Sequence, residues 1–200
     1  MTRGFPFLLA FVLAAGMAAL AFETDGFHVV TSAGARQLSI ERTPQALPYA
    51  RLVDQNGTPF TLGDYNGRRV LVDFIYTRCP TICTALGDDF ARVRQVMRRM
   101  RPIDLLSISF DPSDDRTALR LYGDRFGAEP PRWRIAAPAD DRARAELLHS
   151  FGVVVIPDGL GGFVHNDAIY VVNEQGRLAR ILGPDAPDRL LAAATQGAVP

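Results

Sequence analysis

The sequence predicts an α/β domain built on a mixed β-sheet. A largely apolar run at residues 70–76 indicates a buried strand. Apolar residues then recur at spacings of four and three from residue 86 to residue 100, which predicts one face of an amphipathic helix. A second apolar run at residues 103–110 predicts the next strand, and a strand–helix–strand unit of this kind is typical of α/β folds.

The remaining elements follow in order along the chain. Asp111, before a proline and a serine, is expected to open a helix as its N-cap, and residues 140–151 predict another helix. Residues 168–172 and 178–181 flank a polar turn and predict a hairpin, which makes the sheet mixed. A flexible glycine-rich loop is expected at residues 159–162, and Asp185 is expected to open a final helix.

Two hairpins are predicted upstream of this core. In the lead-in, residues 27–31 and 37–40 flank a Ser-Ala-Gly turn, which makes a hairpin plausible. Asn56 and Gly57 form a strong turn signal between residues 50–53 and residues 59–62.

The amino-terminal segment suits export. Arg3 precedes residues 5–22, which carry no charge, and this pattern fits either a signal peptide cleaved after Ala21 or an uncleaved anchor in the inner membrane. Both interpretations put the domain in the periplasm or an equivalent compartment, as an anchored or a soluble protein. We therefore divide the chain into residues 1–22, a lead-in at 23–44 and a domain at 45–198.

Composition excludes several classes of protein. The 200 residues carry 22 basic and 22 acidic side chains, so binding to nucleic acid through bulk positive charge is not expected. Only two cysteines are present, which excludes a small scaffold held by several disulfides.

Those two cysteines are the residues most suggestive of chemistry. Cys79 and Cys83 lie four apart, directly after the first predicted strand and directly before its helix. The carboxyl ends of strands are where open α/β sheets hold their sites, and a helix amino terminus favours the thiolate, so a lowered thiol pKa is expected. Two such thiols can close a disulfide or bind a soft metal ion.

A third metal ligand is sought among the three histidines. His149 lies on the predicted helix 140–151, and His28 lies in the lead-in with no evident partner. His165 directly follows the glycine-rich loop and precedes the strand at 168–172. If that strand runs antiparallel to the first one, His165 faces Cys79 and Cys83 at one sheet edge, although a structural histidine is also possible at such a position.

Three blocks of the chain resemble the Sco/SenC family. They are residues 72–83 (VDFIYTRCPTIC), residues 107–112 (SISFDP) and residues 164–172 (VHNDAIYVV), in the order and spacing of the family. The resemblance implies a thioredoxin-like fold with an added amino-terminal hairpin, preceded in most members by one membrane-anchoring helix.

The same resemblance implies a function. Cys79, Cys83 and His165 match the family's ligands for Cu(I) or Cu(II), and Asp111 matches an acidic residue near the site that influences metal and redox behaviour. The family serves assembly of the binuclear copper centre of cytochrome c oxidase, as copper donor, as reductant of the target cysteines, or both. The implied partner is the copper-bearing oxidase subunit or another periplasmic copper protein.

Alternatives remain open at this point. Thr84 stands where the family usually has proline, and the loop before His165 is short and lacks an acidic stretch. A thiol-disulfide oxidoreductase or redox sensor without metal needs only the cysteine pair. A peroxidase of the peroxiredoxin class lacks its required proline here, and an inert interaction module is the remaining possibility. The metallochaperone interpretation does not require the chain to be an enzyme.

Overall fold

The computed structural model describes residues 5–23, 31–79, 82–97 and 103–183. Within these residues five α-helices form: α1 (Phe5–Glu23), α2 (Ser32–Arg42), α3 (Ile82–Met97), α4 (Arg116–Phe126) and α5 (Asp141–Phe151). The strands are β1 (Gln45–Ala46), β2 (Arg51–Asp54), β3 (Pro59–Thr61), β4 (Val70–Ile75), β5 (Asp104–Ser109), β6 (Trp133–Pro138), β7 (Val155–Pro157), β8 (Phe163–His165), β9 (Ile169–Val172) and β10 (Arg177–Leu182).

Eight strands form one mixed sheet, in the order β1-β10-β9-β4-β5-β6-β2-β3. The central strands β4, β5 and β6 run parallel to one another. β9 runs antiparallel to β4, with Asp73 opposite Ile169. The predicted α/β class with a mixed sheet is therefore confirmed, and so is the hairpin of β9 and β10.

The two most central strands are buried along their whole length. Every residue of β4 and β5 is buried, which is the usual state of parallel strands covered on both faces. Helices α4 and α5 pack against β6, α3 packs against α4, and α2 packs against β10. The carboxyl end of β4 thus emerges from a rigid layer of the protein.

The hairpin at the far edge of the sheet matches the Asn56-Gly57 turn signal. β2 pairs with β3 and also with β6, both antiparallel. Gly57 has a φ of 84°, a conformation that favours glycine, and the Asp54 carboxylate accepts hydrogen bonds from the backbone N–H groups of Asn56 and Thr58.

The predicted lead-in hairpin is wrong over its second half. Residues 37–40 belong to helix α2, which begins after an N-cap at Thr31 whose hydroxyl accepts from the N–H of Gly34. Ile40 is buried, and the helix packs against β10 far along the chain. Residues 24–30, including His28, lie outside the described residues, as does the helix expected from Asp185.

The start of helix α4 also differs from the prediction. Asp111 does not cap it; instead Asp111 accepts from the N–H and hydroxyl of Ser113 and closes a short turn. Asp115 is the N-cap, accepting from the N–H of Ala118 at 2.8 Å. Asp111 is followed, after Pro112, by three further residues that can cap a helix (Ser113, Asp114 and Asp115), and the last of them does so. The helix at 140–151 is confirmed, with Asp140 as its cap.

The loop at residues 159–162 is the tip of a short hairpin that periodicity does not predict. β7 and β8 form a separate two-stranded sheet, in which Val155 lies opposite His165. The Asp158 carboxylate accepts from the N–H groups of Leu160 and Gly162, which organises the tip expected to be flexible.

Across residues 5–23, 31–79, 82–97 and 103–183, no helix combines the length and the apolar character needed to cross a membrane.

Candidate metal centre

Cys79 and Cys83 lie side by side at the carboxyl end of β4. Cys79 follows the strand, and Cys83 lies in the first turn of α3. The backbone N–H of Cys83 donates to Sγ of Cys79 at 3.4 Å. Both residues are buried, and both are present as thiols rather than as a disulfide. The pair therefore offers two adjacent sulfur ligands.

The predicted lowering of the thiol pKa is wrong for Cys83. Position at a helix amino terminus predicts a lowered thiol pKa, but burial raises the pKa of the Cys83 thiol, and its hydrogen bond with Cys79 raises it further. The thiol form is thus favoured in the metal-free protein, and binding of a metal ion to Cys83 must displace its proton.

A buried tyrosine supports the start of α3. The Tyr122 hydroxyl donates to the Cys83 carbonyl at 2.7 Å and is shielded from water. This bond links α4 to the turn that carries the second cysteine.

Tyr122→Phe is expected to lower the free energy of unfolding by about 1 kcal/mol, because one buried hydrogen bond is lost while the ring remains. Urea unfolding followed by circular dichroism measures the change. Tyr49→Phe is the matched control, since Tyr49 is 80% exposed and should leave stability unchanged. Equal stability of both variants and the unmodified protein would contradict the assigned support.

His165 ends strand β8, and its ring packs against that of Tyr76, the residue that directly follows β4. Because β9 runs antiparallel to β4, the segment before β9 returns to the carboxyl end of β4, as the sequence predicts. The imidazole is only 3% exposed, and its Nδ1 lies 3.0 Å from Oδ1 of Asp167. Within the described part of the chain, neither ring nitrogen makes a hydrogen bond, so the approach of Asp167 is a charge contact without hydrogen-bond geometry. A buried imidazole in this state retains its capacity to bind a metal ion.

Aromatic rings pack against the His165 imidazole. The His165 ring lies 4.9 Å from the ring of Phe110 and 6.3 Å from that of Tyr76, between centroids. Burial raises the pKa of Tyr76, and Cys79 and Cys83 also raise it. Tyr76 therefore neighbours both cysteines and His165. Sequence reasoning assigned it no role, although it precedes the cysteine turn.

Asp111 lies on the next loop and contacts Arg78, the residue before Cys79. Its carboxylate accepts from Nη2 of Arg78 at 2.8 Å. Burial alone would raise the pKa of Asp111, but the hydrogen bonds from Ser113 and Arg78 outweigh it and lower that pKa below 3.8. The carboxylate is thus ionised and held beside the loop.

Asp73 is a second acid that sequence reasoning missed. It points from the middle of β4, is fully buried, and has no hydrogen-bond partner for either carboxylate oxygen among the described residues. Burial raises its pKa to about 7, and the nearby Ser107 side chain offsets only part of the rise. The available signal is one acidic residue inside an otherwise apolar strand.

The predicted ligands share an edge without forming a closed cage. Of the residues that the structure describes, no three His, Cys, Asp or Glu side chains are grouped to hold a metal ion. The two cysteines are adjacent, while His165 packs against the rings of Tyr76 and Phe110. His149 lies exposed in the last turn of α5.

Comparisons with known proteins agree on one family. The SCO1/SenC family model matches residues 41–199. An SCO1 protein homolog from Bacillus subtilis (strain 168) is 22% identical over 158 residues, covering 77% of this chain and 81% of that protein. A Stutzerimonas stutzeri protein, named as a candidate copper-binding protein, is 28% identical over 185 residues, covering 89% of this chain and 81% of that protein.

Solved structures share the fold. The structure of Bradyrhizobium japonicum ScoI with copper bound has a TM-score of 0.64 and 24% identity to this chain, covering 76% of this chain and 98% of that one. The mixed sheet flanked by helices is thus the architecture of Sco proteins.

Proposed function

Since the chain belongs to the SCO1/SenC family, we propose that it binds copper through Cys79, Cys83 and His165 and passes the ion to another copper protein. One observation carries the proposal: two adjacent buried sulfurs share a sheet edge with a buried imidazole whose nitrogens make no hydrogen bond within the described residues. Thiolate and imidazole form a soft to borderline donor set, which suits copper better than hard cations.

The open arrangement supports transfer rather than storage. A closed site with four protein ligands holds its ion for structural purposes, whereas a site with three ligands leaves a position for the acceptor. The histidine lies on a small two-stranded sheet, separate from the main sheet, whose strand β4 leads to Cys79, and from helix α3, which carries Cys83. Asp111 contacts Arg78, the residue before Cys79.

The acceptor in this proposal is the copper-bearing subunit of cytochrome c oxidase, or another exported copper protein. Support comes from the family and from the name of the Stutzerimonas stutzeri relative. The uncharged residues 5–22 after Arg3 support action outside the cytoplasm, with the segment as an anchor or as a cleaved signal. A deletion of the gene is then expected to lower oxidase activity, with recovery when copper is added.

Copper titration of the reduced full-length protein in detergent tests the metal site directly. Cu(II) is expected to give one bound ion per chain and an intense thiolate-to-copper absorption. Cys79→Ser and Cys83→Ser are expected to abolish that absorption. Loss of a residue that only hydrogen-bonds to a metal ligand weakens metal binding by about 10–100-fold. His165→Ala removes a ligand itself and is expected to weaken copper binding by more than that.

His149→Ala is the matched control, because His149 is an exposed histidine on α5. Its affinity and spectrum should equal those of the unmodified protein. If His165→Ala also leaves both unchanged, the three-ligand site is wrong.

A thiol-disulfide reductant is the second candidate function, and the adjacent thiols favour it. Attack on a target disulfide needs the cysteine pair alone. The redox function replaces the metal function if two results are obtained together. The unmodified protein binds no copper, and the copper-free protein reduces a protein disulfide with an activity that His165→Ala retains.

A further inference from the structure

One buried carboxylate, that of Asp114, is hydrogen-bonded to the segment that leads into Cys79. Asp114 lies in the turn between β5 and α4 and is 8% exposed. Its Oδ2 accepts from the backbone N–H of Thr77 at 2.8 Å, and its Oδ1 accepts from the Thr77 hydroxyl at 2.6 Å. One side chain therefore holds both the backbone and the side chain of the residue two positions before Cys79.

The same carboxylate is anchored to the main sheet. The hydroxyl of Ser109, the last residue of β5, donates to Oδ2 of Asp114 at 2.6 Å, and Ser109 is fully buried. Three donors thus converge on two oxygens in a site shielded from water. Hydrogen bonds are stronger in surroundings shielded from water, so these three bonds, called the Asp114 clamp below, hold Thr77 firmly against the end of β5.

This clamp is distinct from the neighbouring tether at Arg78. Arg78 reaches Asp111, but the arginine side chain is 58% exposed, and exposed ion pairs contribute little. Asp114 does not cap α4 either, because Asp115 does so. Asp114 therefore neither caps α4 nor pairs with Arg78. Its contacts with Thr77 are a separate feature of the turn.

From these contacts we infer that Asp114 is the positioning residue of the candidate metal centre: through Thr77 it fixes the loop that presents the Cys79 sulfur. For copper affinity the inference rests on the proposed function. For the reactivity of Cys79 the inference rests on the hydrogen bonds of Asp114 alone. The proposed copper function and the positioning role of Asp114 can therefore fail separately.

The loss of the clamp has a measurable consequence at Cys79. Cys79 is 5% exposed, so a reagent reaches its sulfur when the loop opens. Removal of the two hydrogen bonds from Thr77 to Asp114 favours local opening before Cys79, while Cys83 remains within helix α3. Reactivity should therefore rise at one cysteine of the pair.

The experiment uses the reduced, copper-free, full-length protein. Alkylation by iodoacetamide is followed separately at Cys79 and Cys83 by peptide mass spectrometry. Asp114→Ala is expected to accelerate alkylation of Cys79 by about 10–100-fold, with Cys83 changed far less. Thr77→Val should give part of the effect, and the double variant should add little to Asp114→Ala, because both remove the same contact.

Asp115→Ala is the matched control on the same turn. It removes the N-cap hydrogen bond of α4, which lowers the free energy of unfolding by about 1 kcal/mol. It leaves the hydrogen bonds between Asp114 and Thr77 in place. If Asp115→Ala accelerates Cys79 alkylation as much as Asp114→Ala does, Asp114 only stabilises the fold and the inference is overturned. Asp114→Asn, which keeps one acceptor oxygen, supplies the same comparison if Asp114→Ala fails to fold, and it should give an intermediate rate.

Copper affinity is then measured with the same variants. Asp114→Ala is expected to weaken binding by about 10–100-fold and to alter the thiolate-to-copper absorption, as the loss of outer-shell partners does. If the unmodified protein binds no copper, the proposed function fails while the alkylation result still decides the role of Asp114. If copper binds and the Asp114 variants match the Asp115 control in affinity and spectrum, the positioning role is overturned.

Discussion

Asp73→Asn is expected to remove a pH dependence of about 4 kcal/mol from the stability of this protein. The Asp73 carboxyl is fully buried, and its pKa is raised from 3.8 to about 7. Each pKa unit of difference between folded and unfolded chains corresponds to about 1.4 kcal/mol. A difference of about three units thus gives the expected magnitude.

The direction follows from proton binding in the two states. Below pH 3.8 the carboxyl is protonated in both states, so its contribution to stability is fully present. As the pH rises towards 7, the unfolded chain releases the proton while the folded chain keeps it, so the free energy of unfolding falls. Above pH 7 the folded state holds a buried carboxylate, and the loss is complete.

Urea unfolding of the unmodified protein and of Asp73→Asn between pH 4 and pH 8 measures this effect. Asparagine cannot ionise, so the difference in stability between the variant and the unmodified protein should shift in favour of the variant by about 4 kcal/mol across the range. Asp88→Asn, on an exposed position of α3, is the control. Parallel pH profiles for Asp73→Asn and the unmodified protein would contradict the assignment.

Trp133→Ala is expected to lower the free energy of unfolding by about 3–5 kcal/mol. Trp133 begins β6 and is fully buried, and its ring lies 5.8 Å from that of Phe90 on α3. Its Nε1 donates to the Ser107 hydroxyl at 3.2 Å. Truncation therefore leaves a large cavity between the sheet and α3 and removes the partner of a buried hydroxyl.

Trp133→Phe is the matched control, since it keeps an aromatic ring and should cost much less than alanine. The chain has a single tryptophan, so circular dichroism rather than fluorescence must report unfolding of these variants. A loss for Trp133→Ala no larger than that for Trp133→Phe would mean that the surrounding core closes over the cavity.

Local patterns were sufficient for the elements that depend on local burial. The strand at 70–76 and the helix with apolar spacing from residue 86 are confirmed, with bounds that differ by a few residues. Gly57 adopts the positive φ of its turn, and Asp140 caps helix α5. Both features involve only residues close in sequence. The antiparallel orientation of β9 to β4, which the sequence argument for His165 assumed, is found in the structure.

Patterns failed where distant segments decide. Residues 37–40 alternate as a strand would, yet they form α2 because a helix buries Ile40 and packs against β10. Asp111 has the features of an N-cap, yet it closes a turn while Asp115 caps α4. Local propensity is a weak guide, and the packing of α2 against β10 overrides it at residues 37–40.

The sequence by itself determined the fold class, the family and the identity of Cys79, Cys83, His165 and Asp111 as candidates, because spacing and order along the chain carry that information. Only the tertiary structure decided their surroundings. It buried Cys83 and so raised its thiol pKa, left Asp73 without a hydrogen-bond partner among the described residues, and brought Asp114 against Thr77. The physical reason is that desolvation and hydrogen bonding depend on neighbours distant in sequence, which no local pattern encodes.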